Sequence, residues 1–161
     1  MGAAMSGPGW GSRLTQRLIT LGALAARPMT LGVRGLVVDA ENRVLLVRHT
    51  YISGFYLPGG GVEIGETLEQ ALVRELVEEG NIQLEEPAEL RGVYLNRRIS
   101  KRDHVAFFVA RAFRQSAPRA PDHEIAEAGF FALDALPEGV TTATRARIAE
   151  VFGGAPISPY W

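Results

Sequence analysis

From Thr30 onward the chain runs as short β-branched stretches separated by turn residues, interrupted twice by segments of helical period. Thr30 to Val38 and Arg43 to Arg48 read as two strands joined by Asp39-Ala40-Glu41-Asn42, a hairpin by residue choice and length. Phe55 to Leu57 reads as a short strand stopped by Pro58. Leu68 to Glu79 is helical, Leu90 to Asn96 and His104 to Phe113 are strands, Gly129 to Ala132 is another, and Thr144 to Phe152 is a C-terminal helix. Strands alternating with helices predict an α/β fold with a mixed β-sheet between helices. Pro118 and Pro121 mark an irregular connection, and Gly153 to Trp161 reads as a tail whose Tyr160 and Trp161 are placed to pack back on the body.

Composition narrows the possibilities. At 161 residues, 47% hydrophobic and 22% charged, the chain has the material for one domain with a sizeable core. Seventeen basic residues against eighteen acidic ones give a net charge of -1, so there is no global electrostatic footprint for duplex nucleic acid or an anionic membrane. Any phosphate site has to be built locally. The absence of cysteine excludes a disulfide framework, a thiolate zinc site and a cysteine nucleophile together.

The chemistry concentrates in Gly59-Gly60-Gly61-Val62-Glu63-Ile64-Gly65-Glu66 and the following helix, which carries Arg74-Glu75-Leu76-Val77-Glu78-Glu79. Thr67, with Gln70 three residues on, forms a capping-box pattern that starts the helix near Leu68. At 3.6 residues per turn Glu75, Glu78 and Glu79 fall within an arc of roughly 100°. They share one helix edge. Leu68, Leu72, Val73, Leu76 and Val77 fill the neighbouring half, which places the glutamates where the buried stripe meets solvent. Like charges at these spacings cost a few tenths of a kcal/mol each unless something offsets them. A divalent cation with a preference for hard oxygen would do so, whereas a solvated acidic face behind a glycine turn is the plain alternative.

Taken together, Gly60, Glu66, Arg74-Glu75, Glu78-Glu79 and Ile82 at these fixed offsets closely resemble the signature of the Nudix hydrolases, enzymes that cleave a nucleoside diphosphate linked to another moiety. The box spans Gly60 to Ile82, and the flanking strand order resembles that family's α/β/α sandwich over most of the chain. One position departs: the glycine expected just after the helix is Asn81, with Gly80 one place earlier. Asparagine is the residue best able to replace a left-handed glycine, so an intact loop-helix-loop is expected.

The resemblance implies that Glu78 and Glu79 are metal ligands, that Glu75 is a further ligand or the general base, and that the carbonyl of Gly59 is an additional ligand. Glu66 would support the loop or metal shell, and Arg74 would orient Glu75. The implied cofactor is Mg2+, with Mn2+ as a substitute, and the implied reaction is attack of an activated water on one phosphorus of a diphosphate. Because the family's general base is not always inside the box, Glu124 and Glu127 in the Asp122 to Glu127 stretch are further candidates, with Glu127 favoured by its proximity to the next strand. Substrate contacts are expected from Arg48, from Arg97 and Arg98 in a basic loop between strands, and from Tyr51 and Phe55 as stacking aromatics. The expected partner is a small nucleoside diphosphate derivative, and family members are often homodimers. The alternative is a Nudix-fold nucleotide sensor or interaction module without turnover, which Asn81 leaves open.

Residues 1–28 read as an extension, 29–153 as the hydrolase-like domain and 154–161 as the tail. Within the extension, Leu18 to Ala26 fits the apolar part of a signal peptide. The preferred reading is an amphipathic helix capped by Ser12, with Leu14, Leu18, Leu21 and Leu24 at helical spacing and a stop at Arg27-Pro28. It is too short to span a bilayer, and cytoplasmic localisation is expected because phosphate chemistry of this kind acts on cytoplasmic substrates.

Overall fold

Alternation along three neighbouring strands builds two cores, one on each side of a sheet. The structure, a computed structural model, describes residues 28–161. Strand β1 (Thr30–Val37) pairs in parallel with β5 (Asp103–Ala110), which pairs antiparallel with β4 (Glu89–Leu95), so the expected mixed sheet is present. Strand β2 (Val44–His49) pairs antiparallel with β7 (Ile125–Phe131), and β3 (Ile82–Leu84) pairs with β6 (Phe113–Gln115). Helix α1 (Leu68–Gly80) covers one face and α2 (Thr142–Phe152) the other.

Val33 and Val37 of β1, Leu45 of β2, and Ala106 and Phe108 of β5 pack against Leu72 and Leu76 of α1. Their neighbours in sequence, Leu36, Leu46 and Phe107, point the opposite way and pack with Ile148, Val151 and Phe152 of α2. The period of two in each strand therefore feeds two apolar layers. Gly35 lets α1 approach closely: a Cβ there would lie 2.9 Å from Leu72 Cδ1.

Four expectations change. The Asp39 to Asn42 turn forms, with Asn42 at φ 58°, but its strands meet only at a Val38–Val44 bridge before diverging to different partners. It is a turn between sheets and not a hairpin ladder. The run from His104 to Phe113 breaks after Ala110, and its end becomes β6 beside β3, a strand too short to carry a period. Strand β7 begins at Ile125 and not at Gly129. On α1, Val73 and Val77 are exposed while Glu75 and Glu79 are buried, so the inward stripe is rotated towards the carboxylates.

The tail returns as expected. Trp161 N–H donates to the Leu95 carbonyl at 3.2 Å, and the indole packs edge-on against Tyr94 and Phe107. Beneath it Arg147, 1% exposed, donates to Glu150 at 2.6 Å and to the Tyr160 carbonyl at 3.2 Å. No helix among the described residues is long and apolar enough to cross a membrane. The helix expected over Ser12 to Ala26 lies outside the described residues.

Candidate active site

The glycine loop lies along β1 as an irregular strand. Gly35 N–H donates to Pro58 O, Val33 N–H to Gly60 O, and Val62 N–H to Leu31 O, each at 2.9 Å. Gly59 adopts φ 140°, and a Cβ there would collide with the Val33 carbonyl. At Gly60 a Cβ would strike the Glu75 carboxylate. Glycine at these two positions is what allows the loop to be clamped between β1 and α1 with a carboxylate directly beneath it.

Helix α1 starts as the sequence implies, with Thr67 and Gln70 forming a reciprocal capping box. It ends on Asn81 at φ 54°, ψ 31°, whose N–H reaches the carbonyls of Leu76 and Val77. Asn81 thus takes the left-handed position itself, and its side chain donates to the Ala117 carbonyl at 3.3 Å. Gly80 serves a different need, since a Cβ there would meet Leu45 Cδ2 at 2.7 Å.

Three glutamates gather around one arginine. Arg74 donates to Glu66 Oε1 through Nε at 3.0 Å and to Glu75 Oε1 at 2.6 Å, and sits 3.5 Å from Glu78 Oε2. Its remaining nitrogen donates to the Gly61 carbonyl at 2.9 Å and to Glu66 Oε2 at 3.1 Å. These bonds hold the Glu66 carboxyl below its ordinary range, first through Arg74 and then through the Glu63 N–H. Glu75 behaves oppositely: burial outweighs its bond to Arg74 and pushes its carboxyl up. Glu79, at 5% exposure, accepts from Gly59 N–H at 2.8 Å and lies 3.4 Å from His49 Nε2. Burial pushes its carboxyl up to about 7, only partly countered by the Gly59 bond and by Arg34. His49 is pushed down, by burial first and then by Arg34. Its Nδ1 is buried without a partner among the described residues.

Arg34 is the group sequence reasoning missed. It donates to the carbonyls of Leu57 at 3.0 Å and of Gly59, and its charge acts on Glu75, Glu79 and His49. The available signal was an arginine interrupting an otherwise apolar strand interior.

The Asp122 to Glu127 stretch divides across the sheet. Asp122 accepts from the N–H groups of Glu124 and Ile125 at 2.8 Å, bonds that with its Arg119 partner hold its carboxyl far below the usual range. Arg119 also donates to the Glu78 carbonyl at 2.7 Å, tying this loop to the end of α1. Glu124 is thereby brought where its charge raises the pKa of Glu79, His49 and Tyr51. Glu127 is two strand positions past Ile125 and pairs with Arg48 at 3.0 Å. Arg48 lies over the Phe55 ring at 5.8 Å, on the α2 side, away from the glutamate cluster. The β2–β7 register sends Glu127, the residue favoured by its proximity to β7, to Arg48.

The proposed substrate contacts scatter. Phe55 is 7% exposed in the core and cannot stack on a ligand. Arg97 stacks at 3.6 Å on Tyr160 and so clamps the tail. Tyr51 is exposed with its ring 5.1 Å from that of His49, at the edge of the cluster. Arg98 lines a cleft of about 440 Å³ that runs from Gly60 and Arg34 past Asn96 and Asp103 to Trp161. This volume falls within the range of small-molecule sites.

A two-faced mixed sheet with a glycine loop folded over a glutamate-bearing helix is the arrangement the sequence signature implied. The sequence model of the NUDIX domain matches residues 28–152, most of the chain, and the chain belongs to the Nudix family. It is 33% identical over 105 residues to an ADP-ribose pyrophosphatase of Methanocaldococcus jannaschii, a match spanning 63% of this chain and 62% of that protein. It is 40% identical over 67 residues to a MutT-like protein of Streptomyces ambofaciens, spanning 42% and 43% of the two chains. Among solved structures, a MutT Nudix hydrolase from Burkholderia pseudomallei superposes with a TM-score of 0.65 at 31% identity, covering 76% of this chain and 97% of that one. A Nudix hydrolase from Nitrosomonas europaea shares the fold at 21% identity with a TM-score of 0.64, covering 78% and 90%.

Proposed function

We propose that the protein is a pyrophosphohydrolase that depends on Mg2+ or Mn2+ and cleaves a diphosphate linkage in a nucleoside diphosphate derivative. The observation that carries this reading is the gathering of Glu66, Glu75 and Glu78 around Arg74 with Glu79 on the same helix edge, two of the four carboxyls being buried and pushed up by loss of water. Among the described residues no three such groups already converge on one point, and Arg74 engages Glu66, Glu75 and Glu78. The donor set is nonetheless all oxygen, which suits a hard divalent cation and disfavours zinc.

Glu75, Glu78, Glu79 and the Gly59 carbonyl would hold the cation. When bound, it supplies charge stabilisation to the phosphate oxygens and lowers the pKa of water. The chain's own groups do the rest. Arg74 keeps Glu75 oriented beneath Gly60, and Arg34 fixes the carbonyl of Gly59. A carboxylate takes the proton as water adds to one phosphorus, the bridging P–O bond breaks, and the two phosphorylated halves leave. Glu124 is the preferred base outside the helix, because the Asp122 turn brings it to the cluster while Glu127 is held by Arg48. Glu75 remains the candidate within the helix. The 440 Å³ cleft opening at Gly60 accepts the rest of the substrate. The relatives named for ADP-ribose and MutT-type activity support a nucleotide derivative as the substrate class. Asn81, which kept the sensor reading open, closes the helix in the conformation a glycine would adopt, so it no longer favours loss of turnover.

The test is hydrolysis by purified protein of nucleoside diphosphate sugars, dinucleotides, nucleoside triphosphates and non-nucleotide diphosphates, with Mg2+ or Mn2+, alongside Glu78→Gln. Cleavage of one class by the wild type that disappears in the variant is expected. Silence across the panel, or equal rates in the variant, overturns the reading.

A further inference from the structure

The far end of the cleft carries a polar constellation that the hydrolytic chemistry does not use. Asn96 is 8% exposed, and its main chain is fully engaged: its N–H donates to Asp103 O at 2.8 Å, and its carbonyl accepts from Ile99 and Ser100. Its amide nitrogen donates to Asp103 Oδ2 at 2.8 Å, while Asp103 Oδ1 accepts from the Thr30 hydroxyl at 2.6 Å. A carboxylate only accepts, so Asp103 fixes which way round the Asn96 amide sits. The nitrogen must face Asp103. Asn96 Oδ1 is left as an acceptor with no donor among the described residues, in a residue that lines the cleft.

Apolar side chains share this lining with polar ones such as Arg98 and Thr30. Leu31, Ile99, Val105 and Trp161 line the same space, and Trp161 is held in place by its edge-on packing on Tyr94 and Phe107. The Arg97–Tyr160 stack joins the β4–β5 loop to the tail, so the two walls are fixed relative to each other. A cleft with apolar walls and one oriented acceptor, continuous with Arg34 and the glycine loop at Gly60, fits a flat heterocycle bearing an N–H donor. Resting on the reading of this site as a nucleotide pyrophosphohydrolase, we propose that Asn96 is a specificity-determining residue. Its Oδ1 accepts from the exocyclic amino group of the substrate's nucleobase, and Asp103 is the positioning residue that keeps the acceptor turned into the cleft.

The experiment is a pair of isothermal titrations with AMP and with purine riboside 5′-monophosphate, which differs only by lacking the exocyclic amino group. Covering the Asn96 acceptor with a ring that brings no donor predicts that the wild type binds AMP about tenfold more tightly or better. In Asn96→Ala this ratio is expected to fall to about one, through loss of AMP affinity. In Asp103→Asn the Asn96 amide is free to turn its nitrogen into the cleft, and the ratio is expected to collapse or invert. General loosening of the loop would instead weaken both ligands alike and keep the ratio. A wild-type ratio within twofold of one, or a ratio that survives in the variants, overturns the proposal. If Asn96→Ala does not fold by circular dichroism, the wild-type ratio and Asp103→Asn decide. Binding is read without turnover, so the two readings fail separately: hydrolysis without a ratio sinks this one, and a ratio without hydrolysis sinks the other.

Discussion

Glu79 is a buried carboxyl whose charge costs the apo protein stability. It is 5% exposed, it accepts from the Gly59 N–H, and burial pushes its pKa from 4.5 up to about 7. Replacement by glutamine keeps an oxygen for Gly59 and removes the charge. The sign follows from proton counting: between pH 4.5 and 7 the folded protein holds a proton that the unfolded chain has released, so stability falls as pH rises through that window and levels off above it. A shift of this size corresponds to about 3 kcal/mol at the plateau and about 2 kcal/mol at pH 6. Urea unfolding of metal-free wild type and Glu79→Gln should therefore show the variant more stable, with the gap widening by about 1.4 kcal/mol between pH 6 and 8.5. At a slope of about 2 kcal/mol/M this is a midpoint difference growing by roughly 0.7 M. Because His49 Nε2 lies 3.4 Å from Glu79 Oε1 and its titration would not cancel, the comparison is made in a His49→Gln background. Added Mg2+ at pH 8 should stabilise only the wild type, narrowing the gap by about 2.7 kcal/mol at a hundredfold excess over Kd and reversing the order at a thousandfold excess, where the gain is about 4.1 kcal/mol. A gap that stays constant from pH 6 to 8.5 would refute the reasoning, because Glu79 would then be ionised throughout and not desolvated by its surroundings.

The other expectations rest on separate contacts. Glu78→Gln removes charge from a side chain that is 58% exposed, so turnover should fall by about a hundredfold or more while the unfolding free energy changes by less than about 0.5 kcal/mol, read by steady-state kinetics and urea unfolding. Arg147→Ala strands the buried Glu150 carboxylate and should cost about 3–5 kcal/mol, whereas Arg147→Met with Glu150→Gln should recover much of the loss in the same unfolding assay. Asn81→Gly keeps the left-handed cap and should shift stability by less than about 1 kcal/mol; a large loss of turnover would instead show that the Asn81 bond to Ala117 holds the loop carrying Glu124.

The loop-helix segment was legible in the sequence because everything that defines it is local. The capping box at Thr67, the spacing of Glu75, Glu78 and Glu79, and a left-handed residue at Asn81 are set within one helix and its two ends. The alternation in β1, β2 and β5 likewise announces strands, and with the two helices it determines an α/β fold of the mixed kind.

Strand partners, and with them the membership of the site, came only from the tertiary structure. Thr30–Val38 and Arg43–Arg48 are neighbours in sequence yet pair with β5 and β7, because each side of both strands can be buried only within the two-layered packing. The same register separates Glu127 from Glu124, which are three residues apart but lie on opposite sides of the sheet environment. Arg34 and His49 reach the glutamates from β1 and β2, across distances in sequence that no local pattern encodes. Even the acidity of the helix edge was not local: spacing places Glu75 and Glu79 together, but only the close approach of the glycine loop and β2 removes water from them. Local sequence fixes dihedral preferences and side-chain period, whereas pairing, desolvation and charge environment are sums over residues distant in the chain, and those sums decide which carboxylates become chemistry.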